Sequence, residues 1–125
     1  MSDLDLYALL RLSRAAADLG HLLDTQHLIA QRVELFMAHA APNLSAKPMW
    51  QAVESARLSA VEIATEFRLS REAMLTQLRS APADRWTNVG QHTEFGPVTL
   101  LQQCTYFAKH EQWHMAQITR IRSSL

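Results

Sequence analysis

Three glycines (Gly20, Gly90, Gly96) and four prolines (Pro42, Pro48, Pro82, Pro97) are all the backbone punctuation this chain contains. Glycine and proline are the residues that most readily end helices and turn the chain, so their scarcity leaves long stretches free to stay helical. Apolar residues in those stretches recur every three or four positions, not in alternation, which is a helical period. The chain therefore reads as all-α, a bundle of three or four long helices with no strand signal.

The first segment runs from Ser2 to Ala40. Ser2 is placed to cap it, and Asp3 and Asp5 suit the positive end of its dipole. A glycine inside a helix is tolerated at about 1 kcal/mol, so Gly20 permits either one long helix or two shorter ones. Ala41 to Pro48 is a connection, and a short helix is predicted from Met49 to Ala56. Ser59 and Glu62 have capping-box spacing, with Leu58 and Ile63 placed as a hydrophobic staple, so a helix is predicted from Ser59 to Ser80. Ala83 to Pro97 is read as a loop. Thr99 and Gln102 repeat the capping-box spacing and open a last helix that runs almost to Leu125, with Arg120 and Arg122 in its final turns.

A length of 125 residues fits one domain over 1–125 with a core that needs no staples. Twelve basic residues balance twelve acidic ones, so the formal net charge is zero and no nucleic-acid partner is expected. The single cysteine, Cys104, excludes an internal disulfide and favours a reducing compartment. The acidic N-terminus has no apolar core behind it, and no run approaches the roughly 20 residues needed to span a bilayer. A cytoplasmic protein without membrane contact is expected.

The chemistry lies in His110-Glu111-Gln112-Trp113-His114. Imidazoles four residues apart on a helix share one face, one turn apart, and can bind one ion without bending the backbone. Gln103, Phe107, Gln117 and Ile121 fall on or near that face, so the pair is expected to point into the bundle. The string also matches the zinc-peptidase pattern H-E-x-x-H, in which the glutamate is a general base. Such peptidases take a third ligand from downstream, yet none of the residues after His114 is His, Asp, Glu or Cys. The sheet those enzymes set beside the helix is missing too. These absences argue against a peptidase. A third ligand must come from upstream, from His21, His27, His39 or His92. His39 sits at a segment end and is expected in solvent, and His92 either lines the site or makes a turn. His21 and His27 are six apart on different faces, so only one of them faces the site, and spacing does not say which.

The ending His110-Glu111-x-x-His114-x-x-Gln117-Ile118 resembles the C-terminal motif of the DinB/YfiT-like metalloproteins. Phe95-Gly96-Pro97-Val98-Thr99-Leu100 looks like the Gly-x-x-Thr-Leu entry to that family's last helix. Phe67, Arg71, Leu78 and Trp86 fit its third helix and following loop. His21-Leu22-Leu23-Asp24-Thr25-Gln26 is similar to its first histidine motif, H-L-x-D-x-E, with Gln26 where glutamate is usual. The likeness spans roughly residues 13 to 123. It implies a four-helix bundle of up-down-down-up type and a metal site of His21, His110 and His114, with His27 left out. Remaining positions on the ion would go to water or substrate, as in catalytic sites. Only about a dozen residues precede Ser13, so the N-terminal helix is shortened relative to the family. A bundle short of one helix exposes an apolar groove, and a homodimer or a very long first helix is expected to cover it.

Relatives of this kind include enzymes that use bacillithiol, mycothiol or glutathione in transfer or isomerisation. The resemblance thus implies a metal-dependent S-transferase taking a low-molecular-weight thiol and a small-molecule substrate. Zn, Ni, Fe and Mn all suit neutral imidazoles. Glu111 is placed to accept a proton or orient a ligand, and Gln117 to contact a bound cofactor. The alternative is a stress-associated dimeric bundle that binds metal without turnover; a plain helical dimer without metal is the third reading. Cys104 is read as a small buried hydrophobe. Trp50, Trp86 and Trp113 are read as core or interface, and Met37, Met49, Met74 and Met115 as packing.

Overall fold

A computed structural model describes residues 3–44 and 57–123, and residues 3–18 by their backbone alone. The predicted cap at Ser2, the short helix from Met49 to Ala56, and Trp50 lie outside the described residues. Helix α1 spans Asp3–Ala38, α2 spans Ala60–Ser80 and α3 spans Leu100–Ser123. A single helix passes through Gly20, which decides between the two options for the first segment.

Local chemistry sets the helix starts. Ser59 Oγ accepts from the Glu62 amide, and the Glu62 carboxylate accepts from the Ser59 amide, closing the expected box. Thr99 and Gln102 do the same for α3, at 3.1 Å and 2.9 Å. Arg120 and Arg122 occupy the last turn of α3, where cations offset the dipole.

Contacts between helices define their directions. Gln26 reaches Ser70, while Arg85, beyond the end of α2, donates to the Phe36 carbonyl at 3.3 Å. Both sequences ascend together, so α1 and α2 run parallel. His21 meets His110 and His114, whereas Arg32 meets Gln103, so α3 runs antiparallel to α1. These directions match the last three helices of an up-down-down-up order. Three α-helices are seen among the described residues, and a fourth is not.

The expectation that residues 83 to 97 form a plain loop is corrected. Ala83–Thr87 is a 3-10 turn, and β1 (Val89–His92) pairs antiparallel with β2 (Gly96–Thr99). Four-residue strands containing glycine and proline are too short to show an alternating pattern. The hairpin is held from outside: Leu44 donates to the Gln91 carbonyl and Gln91 to the Pro42 carbonyl. Gly90 permits this close approach, since a Cβ there would lie 3.0 Å from Phe36 and 3.1 Å from Leu44. Gly96 adopts φ +69 in the turn.

The core gathers at the C-terminal half of α1. Ile29, Val33 and Phe36 pack with Leu44, Met74 and Leu100, and Leu78, Trp86 and Phe107 close around them. Burying each such side chain stabilises the fold by about 1.5–3 kcal/mol. Trp86, Met37 and Met74 therefore pack as expected. Met115 does not: it is 50% exposed on α3, and Trp113, read as core or interface, is 57% exposed and so not core.

Candidate metal centre

Two helices bring three imidazoles to one point. His21 comes from α1, and His110 and His114 from successive turns of α3. Their ring centroids lie 5.2 Å (21–110), 4.5 Å (21–114) and 4.6 Å (110–114) apart. Each pair meets edge to face, at interplanar angles of 64–68°. One ring nitrogen from each residue lies within 4.8 Å of the others, a group that could hold a metal ion. Three nitrogen donors are a set that Zn and other borderline divalent ions accept, at about 2.0–2.1 Å for Zn.

The site is at the edge of the bundle, not in its interior. His114 is buried, His110 half-buried and His21 exposed. The expected inward orientation is thus only partly right. The seam between α1 and α3 opens to solvent at His21, and no described element closes it. Burial first, then the nearby His114 and His21, hold the His110 imidazole below its ordinary pKa. A neutral ring with a free lone pair is the state that binds a metal.

The other histidines go elsewhere. His27 faces α2, beside Ser70 and Gln77. His39 is exposed. His92 makes a turn, its Nδ1 accepting from the Glu94 and Phe95 amides.

Glu111, adjacent to His110, points to the next face of α3. There its carboxylate pairs with Arg71 Nη2 of α2. Arg71 Nε also donates to Gln26 Oε1 at 2.8 Å, and the Gln26 amide donates to Ser70 Oγ at 3.3 Å. This network ties all three helices together behind the imidazoles. Gln26 is 2% exposed. The sequence singles out Arg71 and Gln26 but does not show that Arg71 links Gln26 to Glu111. Gln117 stands half-buried one turn beyond His114. Cys104 lines an apolar cavity of about 180 Å³ with Ile29, Met74 and Phe107, and burial pushes its thiol pKa up. A raised thiol is a poor nucleophile, as expected.

No described helix is long and apolar enough to cross a membrane. A family model described as the DinB superfamily matches residues 13–118. No curated protein and no solved structure matches the chain.

Proposed function

Since this chain belongs to the DinB superfamily, we propose that it binds one divalent metal ion through His21, His110 and His114 and is a metal-dependent S-transferase using a low-molecular-weight thiol. The observation that carries this reading is the convergence of three ring nitrogens from two helices within 4.8 Å, on a seam open to solvent. Three protein ligands leave a position for substrate, as catalytic sites do.

An ion bound there, whether Zn, Ni, Fe or Mn, supplies a lowered pKa to a thiol in that position. The protein does the rest. His110 stays neutral near pH 7 because its neighbours and its burial oppose a proton. The exposed side of His21 admits thiol and electrophile. Gln117, on the His114 side of α3, offers an amide to orient the bound thiol. Glu111 is the nearest carboxylate in sequence to the ligands and accepts a proton when it is not held by Arg71.

Elemental analysis of wild type beside His114→Ala tests the ligand assignment. Near-stoichiometric metal in the first and a large loss in the second are expected; equal content rejects it. A conjugation assay with bacillithiol, mycothiol and glutathione against a panel of electrophiles tests the transferase. One observation favours a second reading, a stress-associated protein that binds metal without turnover: Arg71 already occupies the Glu111 carboxylate. No conjugate with any thiol, at full metal loading, selects it.

In this reading residues 1–125 form one cytoplasmic domain that pairs with a second copy. Trp113, exposed on α3, belongs to the surface that the second copy covers. Light scattering at micromolar concentration distinguishes dimer from monomer.

A further inference from the structure

The seam between α1 and α3 continues past the imidazoles. Positions 21, 25, 28 and 32 fall on one stripe of α1. Arg32 therefore stands three turns, about 16 Å, along the axis from His21. Opposite it on α3 lie Gln103 and Phe107, seven and three residues before His110. Arg32 Nη1 donates to Gln103 Oε1 at 2.9 Å, and its guanidinium carbon is 5.6 Å from the centre of the Phe107 ring.

Arg32 is half-buried, and desolvation lowers its pKa. Among the described residues no carboxylate pairs with it, and its Nε is buried without a hydrogen-bond partner. A guanidinium drawn out of water without a counter-ion is costly.

The contact with His92 supplies the second, independent observation. His92 Nδ1 accepts backbone N–H groups from Glu94 at 3.0 Å and Phe95 at 3.3 Å. A ring nitrogen that accepts carries no hydrogen, so the ring hydrogen sits on Nε2. That Nε2 lies 3.3 Å from Arg32 Nη2. Both atoms are donors, and two donors do not bond to each other. An acceptor oxygen about 2.8 Å from each atom would satisfy both.

We propose that Arg32 and His92 form an oxyanion subsite, taking the carboxylate or phosphate group of a small molecule that lies along the α1–α3 seam. An aromatic wall joins this end to the imidazoles: Tyr106 lies 6.3 Å from Phe95 and 6.1 Å from His110, ring to ring. That the same molecule reaches the three imidazoles rests on the metal reading above; anion capture by Arg32 and His92 does not.

The test uses metal-free full-length protein in chloride-free buffer, titrated with malonate in one arm and inorganic phosphate in the other. Binding is followed by the His92 ring signals in NMR and by calorimetry. Saturable binding of at least one anion is expected, and the tighter arm names the source. Arg32→Met abolishes it. His92→Asn keeps an acceptor for the turn but removes the Nε2 donor, and weakens binding about tenfold. Thermal melts establish that both variants fold. Absence of saturable binding in wild type, or unchanged affinity in folded His92→Asn and Arg32→Met, overturns the proposal. Malonate binding that persists in protein unable to take up zinc supports this subsite and removes the metal reading alone.

Discussion

Two polar clusters share α1 and α3, one of them also taking in α2, and follow opposite rules. Gln26 lies five residues after His21 on α1, and Glu111 is the neighbour of His110 on α3. Around Arg71, donors meet acceptors: Nε with the Gln26 carbonyl, Nη2 with the Glu111 carboxylate, and the Gln26 amide with Ser70. Around His21, like meets like, with three imidazoles edge to face. A matched network satisfies itself and holds helices together. The proposed metal reading rests on that cluster of like groups. The contrast separates a network closed on itself from two clusters, the imidazoles and Arg32 with His92, for which bound partners are proposed.

The largest expected effect comes from deleting one member of the unmatched cluster. His114→Ala lowers metal affinity by on the order of a hundredfold or more, exceeding the 10–100-fold typical of groups that merely support ligands. Metal content by mass spectrometry, with helical circular dichroism retained, checks it. Next is Arg71→Met, which strands the Glu111 carboxylate and the Gln26 carbonyl. The pair is roughly a quarter exposed, so solvent screens part of the loss, and about 2 kcal/mol of unfolding free energy is expected. Urea denaturation measures this. Metal stoichiometry should stay at wild-type level; if it falls too, the two clusters are one unit and the comparison breaks.

A smaller effect appears with pH. The His110 pKa is held low in the folded, metal-free protein. At that ring the unfolded chain binds more protons, so stability rises with pH below the ordinary histidine value near 6.5 and is fully present above it. Chelator-treated protein should melt a few degrees lower at pH 5 than at pH 7. The shift should shrink in His114→Ala, which removes one source of the depression. Smallest of all is the response of Cys104. Its thiol lines the cavity on the Arg71 side and is raised by burial. Its alkylation rate should be slow and unchanged by zinc; protection by zinc would place it in the metal cluster.

Much of this was legible locally. The capping boxes at Ser59 and Thr99 and the His110–His114 pair depend on residues within one helical turn of each other, whereas Gly20 left one helix or two open until the structure showed one. The hairpin was missed because its strands are held by Pro42 and Leu44, distant in sequence, more than by their own pattern. Met115 was assigned to packing and Trp113 to core or interface by residue type, and type does not say which way a helix faces. Arg32 carried a signal that went unread: it falls on the same stripe as His21.

Helix ends and ligand spacing were determined by the sequence, because the interactions that set them span three or four residues and need no partner element. The family resemblance implied His21 over His27 where spacing did not, and the tertiary structure brings His21 to the last helix; the tertiary structure alone decided that Arg71 takes Glu111 and that Arg32 faces His92. Those outcomes follow from the crossing and direction of α1, α2 and α3, which many small packing contacts settle together. No single stretch of sequence encodes them.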